Sequence, residues 1–89
     1  MIKTLIVDDE QHCINRLSDL LLAGHADGIQ LLPPAYSVKE GLRAITESQP
    51  DLIFLDVQLH DRTGFDLLRE CGKMEVHPLV GWAASDDSV

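Results

Sequence analysis

Two short apolar runs, each followed at once by acidic residues, constrain the fold of this chain more than any other feature. Residues 4–7 precede the acidic segment 8–10, and residues 52–55 precede Asp56. Apolar side chains on consecutive residues are typical of a strand in a parallel sheet, because helices cover both faces of such a sheet. We therefore expect two buried strands that carry acidic residues at their carboxyl ends.

Segments with the helical spacing of apolar residues separate and follow these strands. The first helix is expected from Glu10 to about Ala23, with Gly24 as its stop. Ser37 and Glu40 have the spacing of a capping box, which predicts the start of a second helix. The full predicted order is strand 4–7, helix 10–23, strand 29–32, a second helix that residues 49–51 close, strand 52–55, a third helix from 64 to about 72, and a fourth strand that starts at residues 77–80. This alternation predicts an α/β fold with right-handed crossovers.

Two consecutive prolines decide the order of the strands. Pro33 and Pro34 follow the second predicted strand, and proline cannot donate a hydrogen bond to a neighbour, so this strand should lie at an edge. The first and third strands are then neighbours, and the strand order is 2-1-3-4. In open α/β sheets the functional crevice lies at the carboxyl ends of the strands, where the chain changes direction across the sheet. Asp8, Asp9 and Asp56 are predicted to meet there.

Three carboxylates that converge in this way repel one another, and a divalent cation removes the conflict. Oxygen ligands without cysteine or paired histidine suit Mg2+ or Mn2+. A carboxylate beside such a cation can also attack a phosphoryl group, and Asp56 is the candidate nucleophile. The alternative is that strand-end acids are solvated loop residues or charges at a helix N-terminus. For Glu10 we favour this structural interpretation.

Composition excludes several other classes of protein. The 89 residues suit one small domain, and the formal net charge of −8, with Lys and Arg scattered singly, disfavours direct nucleic-acid binding by this segment. No apolar run approaches the roughly 20 residues of a membrane span, and no signal peptide is present, so we expect a cytoplasmic protein. Cys13 and Cys71 lack metal-site spacing and are expected to be buried thiols.

The sequence resembles the receiver domain of two-component response regulators. Segments 5–10, 50–59 and 63–68 carry the resemblance, which extends over residues 2–80. It implies a flavodoxin-like, doubly wound parallel sheet. The segment after the third strand is most similar to receivers fused to a LytTR-type DNA-binding domain, which implies a role in transcription regulation.

The resemblance also implies roles for individual residues. Asp56 accepts a phosphoryl group from a histidine kinase, in a Mg2+-dependent reaction. Asp9 binds Mg2+ directly, Asp8 binds it largely through water, and Gln58 contributes its backbone carbonyl. Such a domain is not a conventional enzyme, because it catalyses only its own phosphorylation.

Two positions around the loop after the third strand bear on the resemblance. His60 replaces the usual proline after the acceptor, and we expect it to be an exposed loop residue rather than a ligand. Gly64 matches the family glycine, and the tight turn into the third helix predicts a positive φ there.

The end of the chain departs from the family. We divide the chain into a receiver domain at 1–80, incomplete at its C-terminus, and a divergent acidic tail at 81–89. Ala83 occupies the position of the family's switch hydroxyl, which Ser85 supplies only if the register shifts by two. The family pattern continues with a fourth helix, a fifth strand and a fifth helix, and includes a lysine that pairs with the phosphoryl group. We expect this chain to lack all of them. The lysines that do not fit that role are Lys3, Lys39 and Lys73.

These departures leave other functions open. Without its usual neighbour, the fourth strand becomes an exposed apolar edge, which predicts a homodimer or a domain-swapped oligomer. The protein could then be an interaction module with an impaired switch, without a phosphorylation cycle. A Mg2+-dependent phosphatase is the third class, but it would need an acid at the position of Gln58.

Overall fold

A computed structural model of the chain describes residues 1–25 and 28–82. Within these residues the elements are β1 (Ile2–Val7), α1 (Gln11–His25), β2 (Ile29–Leu31), α2 (Val38–Ser48), β3 (Leu52–Leu55), α3 (Gly64–Lys73) and β4 (Leu79–Trp82). All strands in this part of the chain pair in parallel, in the order β2-β1-β3-β4. The predicted α/β class, the edge position of β2 and the strand order 2-1-3-4 are confirmed.

The core lies between the central strands and helices α2 and α3. The buried side chains with no exposed surface include Leu5, Val7, Val38, Ile53, Leu55 and Leu67. Full burial of one such side chain is worth about 1.5–3 kcal/mol. The acidic residues at the carboxyl ends of β1 and β3 therefore follow directly on strands whose side chains form the packed core.

Helix α1 differs from its prediction at both ends. It continues through Gly24, which is exposed. A glycine destabilises a helix by only about 1 kcal/mol relative to alanine, so it need not end the helix. Glu10 lies just before the helix, and its N–H donates to Oδ1 of Asp8 over 2.9 Å. The predicted stop at Gly24 was therefore wrong, whereas the predicted start was within one residue.

The N-termini of α2 and α3 are capped in different ways. Ser37 Oγ accepts a hydrogen bond from the N–H of Glu40 as predicted, but the Glu40 carboxylate accepts from Tyr36 rather than from Ser37. A complete capping box forms instead between Thr63 and Asp66 at the start of α3. The sequence analysis missed this box, although the two residues have the required spacing.

The last described strand begins two residues later than predicted and continues into the residues assigned to the tail. β4 includes Gly81 and Trp82, so two residues assigned to the tail belong to the sheet. The positions at Ala83 and Ser85 lie outside the described residues. Among the described strands β4 forms an edge, and Leu79 at its start is 73% exposed.

Two smaller predictions concern the cysteines and the membrane. Cys71 is a buried thiol, as predicted, whereas Cys13 is only half-buried. No helix in residues 1–25 and 28–82 is long and apolar enough to cross a membrane.

Candidate functional site

The three predicted carboxylates meet at the carboxyl ends of β1 and β3. One oxygen from each of Asp8, Asp9 and Asp56 lies within 4.8 Å of the others. β1 has β2 on one side and β3 on the other, so the chain changes direction across the sheet at this point. The site therefore occupies the position in which open α/β sheets bind their ligands.

Backbone hydrogen bonds hold two of these acids at fixed positions. The N–H of Asp8 donates to the carbonyl of Ala35 over 3.0 Å, and the N–H of Asp56 donates to the carbonyl of Val7 over 3.0 Å. Asp8 is only 4% exposed, Asp56 is half-buried and Asp9 is exposed. The site thus runs from a buried carboxylate to one that faces solvent.

Burial and like charges act together on the acids of the site. Burial raises the pKa of the Asp8 carboxyl above its ordinary value, and the charges of Asp56 and Asp9 raise it further, against a hydrogen bond from Glu10. Burial also raises the pKa of Asp56, with a contribution from Asp9, although N–H groups of Gln58 and Val57 donate to this carboxylate. The folded site therefore disfavours the charged form of the Asp8 and Asp56 carboxyls.

The loop between β3 and α3 lies beside the half-buried Asp56. Its ends are joined by an antiparallel bridge between Gln58 and Thr63, and the side chain of Leu59 is buried in the core. The backbone of Gln58 is adjacent to Asp56, because only Val57 separates the two residues, and the N–H of Gln58 acts to lower the pKa of the Asp56 carboxyl against the effect of burial. His60 is exposed, as predicted.

Gly64 is required in this loop for a different reason from the predicted one. No glycine in the described residues has a positive φ, so the prediction of a left-handed conformation was wrong. A Cβ at position 64 would instead overlap the backbone carbonyl of Asp56 and lie 3.0 Å from Leu55 and 3.1 Å from Trp82. The glycine permits the start of α3 to approach the end of β3 closely.

Two features near the site were not predicted. Trp82 packs against Phe65 with 5.1 Å between the ring centroids and an angle of 48° between the rings, and both side chains are exposed in part. Asp61, in the same loop, contacts the start of α2. Neither feature has a local sequence signal, because each joins residues that are 17 or more positions apart along the chain.

Replacing Asp8 by asparagine should stabilise the metal-free protein. The substitution removes a buried negative charge, while the amide oxygen can still accept the hydrogen bond from Glu10. We expect the free energy of unfolding to rise by about 1 kcal/mol, which is typical of a relieved unfavourable charge. Urea denaturation without divalent cations measures this change, and a loss of stability would contradict the prediction.

Burial, together with the repulsion between the acids, should also make the stability of the metal-free protein depend on pH. The pKa values of Asp8 and Asp56 are raised by folding, so the folded chain binds more protons than the unfolded chain between the ordinary and raised values. Stability should fall as pH rises through that interval. The fall should be smaller in Asp8→Asn than in the wild-type chain.

The sequence model of the response regulator receiver domain matches residues 4–87. The chain belongs to this family. The predicted family, the receiver domain of two-component response regulators, is confirmed.

Similar proteins agree with the predicted subfamily. The sensory transduction protein LytT of Bacillus cereus is 33% identical over 87 residues, which cover 98% of this chain and 35% of that protein. The transcriptional regulatory protein LytR of Staphylococcus aureus is 39% identical over 85 residues, which cover 96% of this chain and 34% of that protein. The receiver domain described here therefore spans about a third of the length of these relatives.

Solved structures confirm the flavodoxin-like receiver fold. The MaeR response regulator bound to beryllium trifluoride has a TM-score of 0.78 at 19% identity, with 97% of this chain and 70% of that chain covered. The response regulator PhyR from Brucella abortus has a TM-score of 0.78 at 21% identity, with 91% and 32% covered. At these identities the similarity shows the fold alone.

Proposed function

We propose that this receiver domain accepts a phosphoryl group on Asp56 from a phosphohistidine of a histidine kinase, with Mg2+ bound at the acidic site. The observation that carries the proposal is the convergence of Asp8, Asp9 and Asp56 within 4.8 Å at the carboxyl ends of β1 and β3. Family membership supports it, because receiver domains interact with histidine kinases. In the whole protein, the output would be transcription regulation, as the names of the LytR relatives suggest.

The residues at the site fit a hard divalent cation. The side-chain donors are all carboxylate oxygens, the ligand type that Mg2+ and Mn2+ prefer. Burial, and after it the charge of neighbouring acids, raises the pKa values of Asp8 and Asp56, and a bound cation would favour the charged form of both carboxyls. Asp9 and Asp56 would bind the cation directly, Asp8 would bind it largely through water, and Gln58 would contribute its backbone carbonyl.

The side chain of Asp56 performs the transfer. One carboxylate oxygen attacks the phosphorus, a new O–P bond forms as the N–P bond of the phosphohistidine breaks, and the electron pair of that bond remains on the imidazole nitrogen. The N–H groups of Val57 and Gln58 donate to the Asp56 carboxylate and orient it. A bound divalent cation supplies neutralisation of the charge on the transferring phosphoryl oxygens.

A second candidate function is an interaction module that associates through β4. The observation that favours it is the edge position of β4 with Leu79 exposed among the described residues. A homodimer or a domain-swapped oligomer would pair this edge with a second copy. Multi-angle light scattering over a range of concentrations measures the mass, and a monomer throughout would exclude this function.

Thermal unfolding with and without millimolar Mg2+ tests the metal site. A cation that binds only the folded chain raises the transition temperature by mass action. We expect an upward shift at neutral pH that disappears in Asp9→Asn, because this variant loses a ligand on the exposed side of the site. A cooperative transition that Mg2+ leaves unchanged would contradict the proposed metal site.

Beryllium trifluoride tests the acceptor site, because it has the tetrahedral shape of a phosphoryl group. MaeR, which shares the fold, is bound to this compound. We expect 19F NMR of the wild-type chain to show bound beryllium trifluoride only when Mg2+ is also present. Absence of a bound signal at saturating Mg2+ would contradict phosphoryl acceptance at this site.

A further inference from the structure

Asp61 connects the loop after β3 to a helix that is distant in sequence. Its Oδ1 accepts hydrogen bonds from the N–H of Val38 over 3.0 Å and of Arg62 over 2.9 Å. Its Oδ2 accepts from the N–H of Lys39 over 3.2 Å. One carboxylate therefore binds the first two N–H groups of α2 and the backbone of its own loop.

The bonds of Asp61 complement those of the residue that caps α2. Ser37 Oγ accepts from the N–H of Glu40, so Ser37 and Asp61 together bind the first three N–H groups of the helix. Each of these groups would otherwise lack a partner within the helix. Ser37 belongs to the segment that leads into α2, whereas Asp61 belongs to the loop beside Asp56. Among the described residues, the hydrogen bonds that join this loop to α2 are those of Asp61.

The other contacts of the described loop residues run within the loop, to the start of α3 and to the core. The N–H of Leu59 donates to the carbonyl of Arg62, the N–H of Gly64 at the start of α3 donates to the carbonyl of Val57, and Leu59 packs into the core. Gln58, whose backbone lies beside Asp56, is three residues from Asp61 and is bridged to Thr63. A shift of the Asp61 end of the loop would therefore displace the backbone of Gln58.

We propose that Asp61 is a positioning residue for the Mg2+ site: by binding the N-terminus of α2, it holds the loop so that the backbone of Gln58 stays beside Asp56. The inference rests on the proposed function, because it concerns the same cation. Asp61 does not touch the cation or the phosphoryl group. It acts through the loop backbone, in the way that outer groups orient the ligands of a metal.

Ser37→Ala is the matched control for Asp61→Ala. Both variants remove a side-chain cap from the same helix end and should lower stability to a similar degree. Only Asp61→Ala releases the loop. Mg2+ affinity is measured by titration of the full chain, followed by the amide signals of residues 8, 9, 56 and 58 in 1H–15N NMR spectra, while thermal unfolding measures stability.

We expect Asp61→Ala to weaken Mg2+ binding about tenfold, at the lower end of the range for groups that orient metal ligands. Ser37→Ala should bind Mg2+ within about twofold of the wild-type chain, because its loop stays attached. Asp61→Asn keeps one oxygen acceptor and should have an intermediate affinity, which also keeps the test possible if Asp61→Ala unfolds.

Each other outcome overturns the inference. Equal Mg2+ affinities in Asp61→Asn and the wild-type chain, or equal losses in the Asp61 variants and Ser37→Ala, would show that Asp61 only stabilises α2. If the wild-type chain itself does not bind Mg2+, the proposed function fails and the inference fails with it.

Discussion

Phosphorylation of this receiver domain should be abolished when Asp56 is replaced by asparagine. With a small acyl phosphate and Mg2+, the wild-type chain should gain one phosphoryl group, as its carboxylate oxygen bonds to phosphorus and the donor's carboxylate leaves. The asparagine amide is not a nucleophile for this reaction, so we expect a loss of more than about 100-fold. Intact-mass spectrometry of the full chain measures the modified fraction.

The fold should tolerate the substitution at Asp56. The amide oxygen can still accept from the N–H groups of Gln58 and Val57, and one of the repelling charges is removed. Glu47→Gln is the matched control, because it removes the same charge from an exposed side chain of α2. This control should be phosphorylated like the wild-type chain. Phosphorylation of Asp56→Asn at the wild-type rate would place the acceptor elsewhere.

Replacing Gly64 by alanine should destabilise the domain by about 2 kcal/mol, within the usual cost of inserting a methyl group into a filled space. The new Cβ would overlap the carbonyl of Asp56, which is backbone and cannot rotate away, and would press on Leu55 and Trp82. This steric overlap is relieved only if the start of α3 moves away from β3. Urea denaturation measures the change in the free energy of unfolding.

Gly72→Ala makes the same change at the other end of α3 and is the control. No atom lies within 4 Å of a Cβ at position 72, so only helix propensity changes. We expect a gain of about 0.5–1 kcal/mol. If both variants change stability in the same direction and by the same amount, the close approach at Gly64 is not what the fold requires.

The effect of Gly64→Ala should extend to the acidic site. The carbonyl that the new methyl group displaces belongs to Asp56, and the N–H of Gly64 donates to Val57 over 2.7 Å. We therefore expect Mg2+ to stabilise this variant less than it stabilises Gly72→Ala. Thermal unfolding of both variants with and without Mg2+ makes the comparison.

The sequence alone determined the arrangement of the sheet and the convergence of its acids. Consecutive apolar residues marked β1 and β3, and Pro33 and Pro34 placed β2 at an edge. Parallel strands end at the same side of a sheet, so Asp8 and Asp56 had to approach one another once the strand order was known. These inferences succeeded because they depend on the pattern of apolar residues and on the order of the strands, and both can be inferred from short stretches of sequence.

Tertiary structure alone decided how the loop beside the acids is held. Gly64 has an ordinary φ, and its requirement comes from the close approach of α3 to β3. Asp61 binds the start of α2, 22 and 23 residues earlier in the chain. No local pattern announces such a contact, because the energy of a hydrogen bond depends on the distance between two groups in space rather than on their separation in sequence.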